Sequence, residues 1–156
     1  SRKILPAVLR GVGVTELYSP HRVVQACAEL GLQGGTSFDL TTGWDFSTAS
    51  HRQAAWRQII DENPYLVIGS PPCTLFSILQ RLNIHKHRHD GEWLEDYYSA
   101  KQKAVKHIEF CCSVYRYQLR RGRRFLHEHS QLPLYLLRSS CVLGLDEIDS
   151  ISAREN

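Results

Sequence analysis

The sequence predicts an α/β domain built on a doubly wound, mostly parallel sheet. Three features carry that expectation. A short strand-like run at 12–18 is followed at once by Ser19-Pro20 and a segment with helical apolar spacing. A second run, 65–68, is continuous, apolar and too short for a helix, and Gly69-Ser70-Pro71-Pro72 stops it. Such a run reads as a strand buried on both faces. The segments between strand-like runs are long enough for the crossovers that parallel pairing needs.

In order, the chain opens with a basic lead, 1–11, containing Pro6. The first strand, around Gly13, gives way to Ser19 as helix cap and Pro20 as first helical residue. Val23, Val24, Ala26, Cys27 and Leu30 then mark an apolar helix face that ends at Gly31. Gly34-Gly35 opens a second strand over 36–40, and 41–46 is a loop. A helix over 50–62 turns Ala54, Ala55, Ile59 and Ile60 inward. Asn63 ends it, since a residue before proline avoids the helical region. Beyond the 65–68 strand, one or two helical turns fill 75–83, and 84–91 is a polar loop. The longest helix spans 93–120, with Tyr97, Ala100, Ala104, Ile108, Cys111, Tyr115 and Leu119 as its apolar stripe. On that spacing Cys111 or Cys112 is a packing residue. Gly122 closes the helix, and 124–129 is the next strand. Right-handed crossovers with one reversal give the strand order 2-1-3-4, with the switch point between the first and third strands. Beyond residue 131 the pattern fades into an apolar stretch at 134–137, a candidate strand at 141–145 and a polar tail.

Composition narrows the classes. A chain of 156 residues with 42% apolar and 22% charged residues is ordinary globular material. The expected organisation is the lead at 1–11, one domain at 12–145 and a tail at 146–156. No apolar run approaches the roughly 20 residues of a membrane span, and no secretory signal opens the chain. Five cysteines show neither zinc spacing nor a secreted disulfide framework, so the nucleus or cytoplasm is the expected location. A chain that begins with serine and lacks methionine reads as a piece of a longer one. An abbreviated sheet would leave an open edge for self-association or for the rest of that chain. Net charge is only +3, but the basic residues cluster. Arg116, Arg120, Arg121, Arg123 and Arg124 fall together, and Lys86 and Arg88 lie among His85, His87 and His89. Lys86, Arg88, Arg120, Arg121, Arg123 and Arg124 are candidate nucleic-acid contacts, with DNA as partner. The three histidines are not expected to form a metal site, because a loop seldom supplies the geometry.

Two prolines cannot continue a central strand, so Pro71-Pro72 makes a stiff exit that sets Cys73 beyond a strand's carboxyl end. That is where open α/β sheets place their chemistry. The segment Pro71-Pro72-Cys73-Thr74-Leu75-Phe76-Ser77 resembles the Pro-Cys motif of the DNA cytosine-5 methyltransferases, with Thr74 where the family has Gln. The resemblance covers roughly 12–130 and implies a Rossmann-like methyltransferase core, abbreviated at its carboxyl end. It implies Cys73 as the nucleophile that adds to C6 of an extruded cytosine. Glu128, in Phe125-Leu126-His127-Glu128-His129, is similar to the family's Glu-Asn-Val element and would hydrogen-bond the ring nitrogen N3. S-adenosylmethionine would lie over the first two strand ends. The candidates there are Glu16, Tyr18 and Ser19 in the first loop, Asp39 for the ribose hydroxyls, Trp44 and Asp45 for the adenine, and Gly69 and Pro71 from the third strand. Trp44 or Phe46 would stack on the adenine. Glu16-Leu17-Tyr18-Ser19-Pro20 stands in place of the family's Phe-x-Gly-x-Gly loop.

The wording of these motifs also looks like methyltransferase-like segments in protist and transposon polyproteins. Two other readings stand beside the first. One is a catalytically degenerate remnant that binds nucleic acid or protein within a larger polyprotein. The other is an amino-group (N4/N6) methyltransferase, whose Ser-Pro-Pro-aromatic motif matches Ser70-Pro71-Pro72 but meets Cys73 instead of an aromatic ring. Zinc deaminase chemistry fails on spacing, because no second cysteine follows three residues after Cys73.

Overall fold

The computed structural model describes residues 11–77 and 79–128. The predicted features at 1–10, 134–137, 141–145 and 146–156, and His129, lie outside them. The described residues form two compact units, 11–71 with 117–128, and 72–116.

The first unit is the predicted doubly wound α/β sheet. Its strands are β1 (Val12–Leu17), β2 (Gln33–Phe38), β3 (Leu66–Gly69) and β4 (Arg124–His127), all parallel and ordered β2-β1-β3-β4. Helix α1 (Val23–Glu29) links β1 to β2, and α2 (Ala49–Glu62) links β2 to β3. Successive side chains on a strand point to opposite faces, and β1 uses both. Val14 packs with Cys27 of α1 and Ile68 of β3. Thr15, its neighbour, donates its hydroxyl to Glu62 at the end of α2 at 2.7 Å. One helix thus covers each face.

Glu62 ties α2 to both strands. Its carboxylate also accepts the Thr36 amide at 3.1 Å, the Thr36 hydroxyl and the Gln58 side-chain amide. Ala55 and Ile59 are the buried residues of α2, whereas Ala54 and Ile60, expected inward, are exposed. The polar Gln58 and Glu62 hold the helix on the sheet, and this narrows its apolar face. The last turn of the 30-residue helix α4 (Gly91–Arg120) also belongs to this unit. There the fully buried Gln118 donates to the carbonyls of Pro64, at 3.0 Å, and Arg124, at 3.1 Å. One amide group therefore fixes the starts of β3 and β4.

Several boundaries move. β2 starts at Gln33, so Gly34 and Gly35 lie inside the strand. They admit close neighbours: a Cβ on Gly34 would stand 2.7 Å from the Val24 carbonyl oxygen. α1 begins at Val23 with Arg22 as its cap, so Ser19-Pro20 is not the helix start. Among the described residues β4 is paired on one side only and leaves Leu126 54% exposed.

The second unit contains a 3-10 turn at Thr74–Phe76, helix α3 (Gln80–Lys86) and most of α4. The expected polar loop over 84–91 shrinks to four residues, because α3 runs to Lys86 and α4 starts at Gly91. Phe76, Ala104, Ile108 and Cys112 form its core with Leu75 and Val105. Tyr97, Cys111 and Tyr115 of the predicted stripe are also buried, while Ala100 and Leu119 are half-buried. Cys112 is disulfide-bonded, a bridge that the cysteine spacing did not foretell. No described helix is long and apolar enough to cross a membrane.

Candidate functional site

In the first unit, all the predicted cofactor residues but Gly69 and Pro71 follow or close β1 and β2 at their carboxyl ends. Glu16, 1% exposed, is the penultimate residue of β1 and lies on the face that carries α1. Its carboxylate accepts the amides of Arg22 at 3.2 Å and Val24 at 3.0 Å, and the hydroxyls of Ser19 at 3.0 Å and Ser37 at 3.2 Å. It supplies the cap that Ser19 was expected to give. A carboxylate suits this position, because the first amides of a helix lack intrahelical partners. Ser19 is buried and also donates to the Pro20 carbonyl at 3.1 Å. Glu16 and Ser19 therefore direct their polar atoms into the loop itself.

Between them Tyr18 has φ +60°. A side chain in this left-handed region costs about 1–2 kcal/mol, and such strain concentrates at functional loops. The Tyr18 amide is held by the Phe38 carbonyl at 2.7 Å, and its ring meets Phe46 edge-on at 5.0 Å.

Asp39 follows β2. Its Oδ2 accepts the Thr41 amide at 2.9 Å and the Thr41 hydroxyl at 2.6 Å. Partial burial raises its pKa, but the hydrogen bonds from Thr41 and Leu40 and the Arg22 charge outweigh that and hold the carboxyl below its ordinary value. Trp44 is half-buried and edge-on to Phe38 at 4.7 Å. Phe46 is buried among Tyr18, Phe38 and Trp44. It is core filling, which leaves Trp44 the more open ring. Asp45 accepts the Ser47 amide at 2.9 Å and hydroxyl at 2.6 Å, and its own amide donates to Nδ1 of His51 at 2.9 Å. It organises the entry to α2.

At the ends of β3 and β4, the Glu128 amide donates to the Gly69 carbonyl at 2.9 Å, and the Ser70 hydroxyl donates to the Glu128 carboxylate at 3.2 Å. Glu128 is exposed; Gly69 and Pro71 are buried. Arg120, Arg121 and Arg124 are exposed, Arg123 is half-buried, and the Arg121 guanidinium lies over the Tyr117 ring.

In the second unit, Cys73 is a half-buried thiol. It precedes the 3-10 turn, and its carbonyl accepts the Phe76 amide at 2.9 Å. The Thr74 carbonyl accepts from Gln80 at 3.2 Å, and the Leu75 carbonyl accepts the Tyr97 hydroxyl at 3.3 Å. Lys86 and Arg88 are exposed. Arg88 donates to the His85 carbonyl at 3.0 Å, and His87 stacks on Trp93. Among the described residues no three His, Cys, Asp or Glu side chains form a group able to hold a metal ion.

Sequence reasoning missed Arg22, Ser37 and the tyrosine strain. Ser37 is legible only once the register pairing it with Glu16 is known. It also missed the ring column at the start of α4, although Trp93 and Tyr97 stand four apart on a predicted helix. Compared with protein families, curated proteins and solved structures, the chain matches none of them.

Proposed function

We propose that the chain is a DNA cytosine-5 methyltransferase-like domain that transfers a methyl group from S-adenosylmethionine to cytosine through a cysteine adduct. The observation that carries this reading is the half-buried Cys73 thiol in the Pro-Pro-Cys-Thr segment leaving β3 of a parallel sheet ordered β2-β1-β3-β4. In this reaction the Cys73 thiolate adds to C6 of the base, which makes C5 nucleophilic. When bound, the cofactor supplies the methyl group that C5 takes up. A base then removes the C5 proton, and the thiolate leaves C6 as the double bond re-forms. Glu128 is assigned the hydrogen bond to N3, where charge develops. Its carboxylate is held at a strand end by Ser70.

Asp39, kept ionised by Thr41, Leu40 and Arg22, suits two ribose hydroxyls. The half-buried Trp44 suits the adenine, and the strained Tyr18 marks the loop between them.

A second reading is favoured by Glu16, whose carboxylate fills the turn where the family carries glycines. On that reading the domain is a cofactor-less remnant that binds nucleic acid or protein. Calorimetry with S-adenosylmethionine, and mass spectrometry after incubation with 5-fluorocytosine DNA and cofactor, separate the two. Methyl transfer requires cofactor binding and an adduct on Cys73 that is absent in Cys73→Ser. No cofactor binding and no adduct would establish the remnant. Methyl label on an exocyclic nitrogen would make the chain an amino-group enzyme.

A further inference from the structure

Within the second unit, three rings form a column. Trp93 and Tyr97 stand four residues apart on α4, the spacing that lays one side chain over another. Their rings are 5.4 Å apart at 8°. His87, just before α4, continues the column at 4.4 Å and 14° from Trp93. One end is anchored: Tyr97 is buried, and its hydroxyl donates to the Leu75 carbonyl at 3.3 Å. At the other end the His87 side chain keeps 33% of its surface exposed. Tyr98, edge-on to Tyr97, is 51% exposed.

Charges of both signs border this column. Lys86 and Arg88 flank His87 in the chain and are exposed, and the Lys101 ammonium lies 5.9 Å from the Tyr97 centroid. Glu92 and Glu95 stand about 100° or more around the helix from both Trp93 and Tyr97, at roughly 100° per residue, whereas the exposed Asp96, three residues after Trp93, flanks the ring stripe about 60° from it. Asp90 is engaged: it accepts the Trp93 amide at 3.0 Å and lies 4.0 Å from the His87 ring.

We propose that this column is a stacking platform for single-stranded nucleic acid, with an unpaired base extending it beyond His87 and phosphates following Lys86 and Arg88. Every base has a π-face, so parallel rings beside cations take a strand without regard to sequence. Within a duplex every base is already stacked on its neighbours, and only the two end pairs keep a free face. The inference rests on the methyltransferase reading only for the class of partner, and needs neither its cofactor nor its chemistry.

The test is fluorescence anisotropy on the full chain, without S-adenosylmethionine. The probes are a thymidine oligonucleotide, a duplex of equal length and an abasic strand. The thymidine strand should bind most tightly. His87→Ala should weaken it by roughly 5- to 150-fold, the cost of losing one stacked base, and His87→Phe should restore binding. Lys86→Gln and Arg88→Gln should each flatten the salt dependence by about 0.7 in log–log slope. No binding, equal binding of the abasic strand, preference for the duplex, or indifference to His87→Ala in folded protein would each overturn the proposal. Ring-dependent binding in a chain that takes no cofactor would remove methyl transfer and keep the platform. A Cys73 adduct in a chain indifferent to His87→Ala would do the reverse.

Discussion

The Glu16 carboxylate accepts the Val24 amide at 3.0 Å, so the strand that precedes α1 also caps it. The same group holds Arg22, Ser19 and Ser37, which joins β1, α1 and β2 at one buried atom pair. Glu16→Ala would leave two amides and two hydroxyls without this acceptor, at about 1–3 kcal/mol for each buried group left unsatisfied, less what water recovers. Urea unfolding should therefore show Glu16→Ala less stable by several kcal/mol or unfolded, and Glu16→Gln, which keeps one acceptor oxygen, in between. A stability equal to the parent's would mean that the loop is held by something else.

Gly34 is where α1 presses on β2. An added Cβ would lie 2.7 Å from the Val24 carbonyl oxygen and 2.9 Å from Val24 Cγ1. Overpacking of this kind costs about 1–3 kcal/mol, and a backbone oxygen cannot rotate away. Gly34→Ala should lower the unfolding midpoint accordingly. Gly91→Ala, which meets nothing within 4 Å at the start of α4, should leave it unchanged or raise it slightly. Equal behaviour of the two variants would contradict the close helix–strand approach.

Those glycines also show what was legible. The strand order followed from the alternation of strand and helix segments and from crossover rules, which hold whatever the individual side chains are. The start of β2 did not follow. Gly34-Gly35 reads as a break, and only the packed helix and the Glu62 network explain glycine inside a strand. Ser19-Pro20 fitted a helix start by local rules, yet a carboxylate three residues earlier supplies the cap through the sheet register. Asp39 at the end of β2 was visible from its position after a strand. The Arg22 charge that helps keep it ionised was not, since nothing local marks the cap of α1 as its neighbour.

Asp39 gives an acid-limb prediction. Its carboxyl pKa is lowered in the folded chain, with an ordinary value of 3.8. Its contribution is therefore fully present above about pH 4 and is lost as pH falls through the lowered folded value. Asp39→Asn should be less stable than the parent at pH 6, and the gap should close at strongly acid pH. Urea midpoints of both proteins across that range read it directly, and a gap that widens toward acid would reverse the assigned sign.

The thiols should part company by burial. Burial pushes Cys111 up to about 12, against a smaller opposing hydrogen bond from Tyr115, and burial with the Glu16 charge raises Cys27. Cys73 is half-buried. Thiolate is the reactive form, so iodoacetamide on the native chain at pH 8 should label Cys73 first and spare Cys27 and Cys111 until unfolding, as read by peptide mass spectrometry. Cys111 also sets an alkaline limb. With its folded pKa above the ordinary 9.0, its contribution is whole below pH 9 and is lost as pH rises toward about 12, because only the unfolded chain ionises over that interval. Cys111→Ala should be less stable at pH 7 for want of packing, yet decline less steeply above pH 9. Parallel declines would show that the sulfur is not the group being held neutral.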